Sequence, residues 1–226
     1  MLASLVLLTF AETTFGEVLS PITTVRIQVE KPPFYINDNA SDYQNMTDLI
    51  ETGGKQYIYY RSYERDPLFG NDRMCPYLMR RQEKTVQPLR LIMGYLRPNG
   101  SELRFRRQAE YQMSENYSVA NMLWIKGGNH HNTTRRYTLV FTDNSTCSVV
   151  RSDLRDGCEV WVQESALSLG PSPCCNFLYQ LLCGKEQYQM YNASCPTTEI
   201  VTPISSAEEI SGEEDAGDGA SGNETS

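Results

Sequence analysis

Through the middle of the chain, apolar and polar positions alternate in short runs instead of recurring at helical spacing, which predicts strands. The first run, Lys55 to Tyr63, is rich in tyrosine and is broken by Asp66-Pro67 and by Phe69-Gly-Asn-Asp72. Met74 to Arg81 follows, then Leu89 to Leu96, closed by Arg97-Pro-Asn-Gly-Ser101, whose Asn-Gly pair is a strong hairpin signal. Leu103 to Tyr111, Val119 to Lys126, Arg135 to Thr142, Cys147 to Arg151 and Cys158 to Val162 bring the set to eight. Strands this short and this regularly spaced predict a mainly β domain, an antiparallel barrel or sandwich.

The period changes only after the last strand. Cys175, Leu178, Tyr179, Leu182 and Cys183 recur at helical spacing, which predicts a helix over Cys174 to Cys183 whose apolar stripe lies on the sheet wall. Ser172 and Pro173 supply its start and Gly184 its stop.

Both ends differ from this body. Met1 to Phe10 is an apolar run followed by small residues, read as a signal peptide over 1–16 and too short to span a bilayer. From 197 to 226 the chain is acidic and small, the composition of a disordered tail, which leaves 17–196 as the domain. The tail supplies most of the net charge of −8, and an acidic chain is a poor partner for nucleic acid. No membrane partner is expected either.

Asn-x-Ser/Thr sequons begin at Asn39, Asn45, Asn99, Asn116, Asn132, Asn144, Asn192 and Asn223, which points to a glycosylated, secreted, extracellular protein. The seven cysteines contain no CxxC pair, and the two histidines, His130 and His131, sit together in what reads as a hairpin tip. The cysteines are therefore expected in disulfides and not on a metal, with one thiol left over, free or bonded to another molecule. No nucleophile elbow, phosphate loop or zinc signature is present, so a binding protein without cofactor is expected in preference to an enzyme.

Candidate chemistry begins with Cys158-Glu-Val-Trp-Val162. In a strand, Glu159 and Trp161 share one face while Cys158, Val160 and Val162 share the other. If the second set covers the helix, the acid and the indole look into a barrel; the alternative places Glu159 in solvent at an edge, and the pattern leaves both open. A second acid, Asp66, stands between Tyr63 and Phe69 in the segment that would close a barrel mouth. Leu103, Phe105, Arg107, Ala109 and Tyr111 share a face, so Arg107 is either a lumen cation or a basic residue on a solvated strand.

Taken together, Tyr63 to Cys75, the CEVWV strand, the Cys174-Cys175 pair and the helix after it resemble the tick salivary lipocalins, the histamine-binding proteins in particular, from about Tyr43 to Pro196. The resemblance implies an eight-stranded lipocalin barrel carrying a C-terminal helix. It also implies that Tyr63, Asp66, Glu159 and Trp161 line the tighter of two amine sites, with Phe69 where those proteins have Trp. An ammonium at about 4 Å from one carboxylate gains about 4 kcal/mol at an effective dielectric of about 20, and an aromatic face adds to this.

Several positions depart from the family pattern. Asn45-Met-Thr-Asp48 replaces an Asp-Ala-Trp-Lys motif, and Thr138 and Ser148 fall where the second site has acids, which implies that this site is absent. Counted back from Cys147 without gaps, Arg136 falls on an aromatic of the tighter site, where a cation opposes an amine unless it points outward. Other members bind leukotrienes and fatty-acid mediators, for which Arg107 or Arg136 would meet the carboxylate. Family pairing implies Cys75–Cys195 and Cys147–Cys175. Cys158–Cys183 is expected among the rest, since both would lie between the last strand and the helix.

The function expected is that of a monomeric secreted scavenger of histamine or another biogenic amine that blunts host inflammatory defence. The alternatives are a leukotriene- or fatty-acid-binding lipocalin and a protein-binding inhibitor of host defence.

Overall fold

The computed structural model of the chain describes residues 36–52, 54–81, 88–127 and 134–197. The signal-peptide segment, the His130-His131 pair, Asn132, Asn223 and the acidic tail beyond Thr197 lie outside the described residues.

Eight antiparallel strands form a barrel: β1 (Gln56–Arg61), β2 (Tyr77–Arg80), β3 (Leu89–Leu96), β4 (Glu102–Gln112), β5 (Met122–Ile125), β6 (Arg135–Thr142), β7 (Cys147–Ser152) and β8 (Gly157–Gln163). Each pairs with its neighbour in sequence, and β1 pairs with both β8 and β2, which closes the ring. A two-residue strand, β9 (Tyr188–Gln189), takes the remaining length of β1.

The strands expected at Leu89 to Leu96 and Arg135 to Thr142 have those bounds. The one expected at Val119 to Lys126 is shorter; just before it the buried Asn121 side chain bonds Ser114, while its carbonyl still accepts from the Leu139 amide of β6. Met74 to Arg81 likewise narrows to β2, since Cys75 has φ of 61° and cannot extend a strand.

A short helix, α1 (Met46–Thr52), was not expected from periodicity; seven residues give too few turns for a pattern. Asn45 caps it by accepting from the amides of Thr47 and Asp48. Met46, Leu49 and Ile50 then bury into the barrel interior at the end where β1 begins. The other helix, α2 (Pro173–Cys183), is where the stripe predicts it, capped by Ser172. Cys175 and Tyr179 are buried against β7 and β8, while Cys174, Phe177 and Leu181 on its outer side are exposed.

The core is correspondingly split by the sheet. Ile58, Leu78, Leu91, Met93, Leu123, Leu139 and Trp161 point inward, whereas Tyr60, Val149, Val160, Cys175 and Tyr179 fill the space under α2. Three disulfides join Cys75–Cys195, Cys147–Cys175 and Cys158–Cys183, as expected, and the unpaired thiol is Cys174. Two of these bonds tie α2 to the strands beneath it. The third holds the C-terminal segment, where Tyr57 Oη and Lys55 Nζ also donate to the Pro196 carbonyl.

Candidate functional site

β8 settles the question that its sequence left open. Val160 and Val162 lie under α2 and Glu159 and Trp161 face the interior, both with no exposed surface. The Glu159 carboxylate accepts hydrogen bonds from three neutral donors: the Tyr63 phenol, the Trp161 indole Nε1 at 2.6 Å and the Tyr137 phenol at 3.4 Å. Tyr137 and Trp161 meet edge to face at 5.0 Å. Burial, and after it the charge of Asp66, pushes the Glu159 carboxyl up to about 7, opposed by the hydrogen bonds from Tyr63 and Trp161. Burial, followed by the nearby Glu159, raises the Tyr63 and Tyr137 phenols well above their usual range, so both remain donors.

The segment after β1 folds over this end. Asp66, fully buried, caps a short 3-10 turn, Pro67–Phe69, by accepting from the Leu68 amide at 2.9 Å. That turn drives Leu68 and Phe69 into the interior cluster that contains Trp161. Gly70 follows at φ 67°, and a Cβ there would stand 2.7 Å from the Tyr95 ring, so the loop can close down only with glycine at this position. Tyr63, Asp66, Phe69, Glu159 and Trp161 are thus gathered at one end of the barrel.

Three inward residues at the same end were not foreseen. Arg61, directly opposite Glu159 in the β1–β8 register, is fully buried and donates to the carbonyls of Tyr63 at 2.9 Å, Glu64 at 2.6 Å and Asn71, which pins the mouth loop. Arg135 reaches Asp66 at 2.6 Å and lies 3.5 Å from Asp153. Tyr137 is the third.

All three were missed for one reason. β1 has an irregularity between Ile58 and Tyr60, and β6 has one between Leu139 and Phe141. Each extra residue reverses the alternation, so counting back from Cys147 without gaps gives the wrong face. Arg136 is accordingly exposed, its guanidinium 5.9 Å from the Trp124 ring on the outer wall, which corrects its placement as a lumen cation. Thr138 shares that outer face, paired with Arg151, whereas Ser148 is buried and bonds to Thr142. Arg107 does lie on the inner-facing register of β4, opposite the buried Leu91, half-buried and stacked 4.6 Å over the Phe105 ring.

At the opposite end Glu51 of α1 pairs with Arg80 and accepts from the Tyr111 phenol at 3.0 Å, which joins the helix to β2 and β4. Asp143, Cys147 and Cys175 lie close enough to suggest a metal cluster, but both sulfurs are consumed in one disulfide. Two cavities lie outside the barrel, one of about 480 Å³ lined in part by Tyr63, Arg151, Arg155 and Tyr188, and one of about 800 Å³ between Tyr59, Leu167 and Tyr191.

The family model of the tick histamine binding proteins matches residues 36–197. The chain belongs to this family. Among solved structures, the AM182 serotonin complex is similar at a TM-score of 0.50 and 19% identity, covering 67% of this chain and 90% of that one. Lobster apocrustacyanin A1 and apocrustacyanin C1 each align at a TM-score of 0.47 and 12% identity, covering 74% of this chain and 96% of theirs. No curated protein matches the chain.

Proposed function

We propose that this member of the histamine-binding family sequesters a small amine in its barrel, as a secreted scavenger that acts by stoichiometry and without turnover. One observation carries the reading. Glu159 is fully buried and, among the described residues, accepts its hydrogen bonds from phenols and an indole, which hold the carboxylate in place for an ammonium. Tyr63, Phe69, Tyr137 and Trp161 supply aromatic faces around such a cation. The resemblance of the fold to a protein solved with serotonin agrees with a biogenic amine, histamine or serotonin, as the ligand. Blunting of host inflammatory defence follows as the role of such a scavenger.

Asp66 enters this site as the partner of Arg135 and not as a second free acid. The lower amine site is absent in this reading, since its positions hold Thr138 on the outer wall and Ser148 bonded to Thr142. Calorimetry with histamine and serotonin on the intact and Glu159→Gln proteins tests the proposal. Micromolar or tighter binding that is lost in the variant is the expected result; equal affinity in both would remove Glu159 from the site. A second reading, a fatty-acid or leukotriene ligand, is favoured by Arg107 on the inner register of β4, and a leukotriene titration tests it directly.

A further inference from the structure

The C-terminal segment is attached beside a wall of the barrel that is rich in arginine. Tyr57 Oη and Lys55 Nζ donate to the Pro196 carbonyl, and Lys55 Nζ lies 4.2 Å over the Tyr77 ring. Tyr77 begins the outer face of β2, which runs in register across β3 and β4. Tyr77, Gly94 and Arg104 form one row, and Met79, Ile92 and Arg106 the next. Arg81, whose amide bonds the Arg90 carbonyl, extends this face by a third row.

Arg90, Arg104 and Arg106 are exposed. The acids of this wall among the described residues, Glu102 and Glu110, are matched by Arg104 at 2.7 Å and by Lys126. The 82–87 segment between β2 and β3 contains one acid and one lysine and so adds no net charge. The wall is therefore positive. Between its arginines stand Met79, Ile92 and Leu96, half-buried and packed against the cluster that holds Tyr77 and Cys195. Apolar ground is thus continuous from the C-terminal attachment to the guanidinium groups.

The amino acids after Thr197 have the complementary order. Ile200, Val201 and Ile204 come first, then Glu208, Glu209, Glu213, Glu214 and Asp215, with no Lys or Arg beyond Thr197. The chain from Thr197 to Glu208 can reach up to about 36 Å when extended. A strand as long as β3 measures only about 27 Å, so the acids can reach any row of the wall.

We propose that the chain's own acidic tail, from Ile200 to Asp218, docks on the outer wall of β2, β3 and β4. Its apolar residues meet Met79, Ile92 and Leu96, and its carboxylates meet Arg90, Arg104 and Arg106. Exposed ion pairs are individually weak, but the tether makes the encounter intramolecular, at an effective concentration of about a millimolar. The docked tail shields the arginines from outside polyanions. Glu159 lies on the inner side of the sheet, so the docking does not depend on what the barrel binds.

Arginine footprinting of the full chain with phenylglyoxal, read by peptide mass spectrometry, tests the docking, with the exposed Arg65 as internal reference. The comparison is a full-length variant carrying Glu208→Gln, Glu209→Gln, Glu213→Gln, Glu214→Gln and Asp215→Asn. At about 10 mM salt, where the Debye length is about 30 Å, Arg90, Arg104 and Arg106 should react at least about threefold more slowly in the intact chain. Arg65 should react alike in both, and at about 1 M salt the difference should vanish. The variant should also be retained more strongly on heparin. Its substitutions lie beyond the barrel and its disulfides, and thermal melts verify that it is folded. Equal reactivity of the three arginines in both proteins at low salt overturns the proposal. Protection that disappears on dilution overturns it in favour of the tail of a second copy. Equal retention of both proteins on heparin overturns it in favour of an outside polyanion.

Discussion

At the scale of single residues, the site is governed by the cost of burying Glu159. Its carboxyl is raised from an ordinary value of 4.5 to about 7, so between these values the folded chain holds a proton that the unfolded chain has released. The contribution of Glu159 to stability is therefore full below about 4.5, is lost as pH rises to 7, and amounts to roughly 3 kcal/mol. Glu159→Gln should flatten this trend and raise the melting temperature above pH 7, where the native acid is charged. The same substitution should weaken amine binding about 100-fold, since a charge-assisted bond becomes a neutral one. Binding has the opposite pH dependence to stability. An ammonium needs the carboxylate, so amine affinity should fall as pH drops below about 7, and a flat calorimetric profile between pH 5 and 8 would remove Glu159 from the ligand. Asn45 is a further case at this scale. It is half-buried and its Nδ2 donates to Asp48 at 2.7 Å while its oxygen caps α1, whereas Asn39, Asn99, Asn116, Asn144 and Asn192 are exposed. Peptide mass spectrometry of secreted protein should find glycans among the exposed five and none on Asn45.

At the scale of elements, the positions of Tyr63 and α2 matter most. Gly157 opens β8 against the Tyr63 ring, and an added Cβ would stand 2.4 Å from Cδ1. Its backbone is extended, at φ −87°, so alanine is excluded by contact and not by conformation. Gly157→Ala should destabilise the fold by about 1–3 kcal/mol in denaturant titration and weaken amine binding as well, because Tyr63 must move off Glu159. α2 rests on β7 and β8 through Cys147–Cys175 and Cys158–Cys183, each spanning fewer than 30 residues. Replacing Cys158 and Cys183 together by alanine should cost about 3 kcal/mol by the chain-entropy argument, whereas Cys174→Ser, at an exposed free thiol, should leave stability unchanged. Cys174 is exposed on the outer side of α2 whereas Glu159 and Trp161 face the barrel interior, so ligand affinity should survive Cys174→Ser as well.

At the scale of the whole molecule, strand spacing, the helix, the three disulfides and the gathering of Tyr63, Asp66, Phe69, Glu159 and Trp161 were all legible in the chain, because each depends on local period or on family-matched positions. Barrel closure was not decided by pattern, since regular alternation suits a sandwich equally well; it required β1 to pair with both β8 and β2. The inward faces of Arg61, Arg135 and Tyr137 were hidden because one extra residue in β1 and one in β6 invert every side chain beyond them. The amino-acid sequence by itself determined which residues could form strands and which acids could meet a cation. Only the tertiary structure decided which charges share the barrel, because the face a strand residue takes depends on the register of its partner strand and not on its own neighbours.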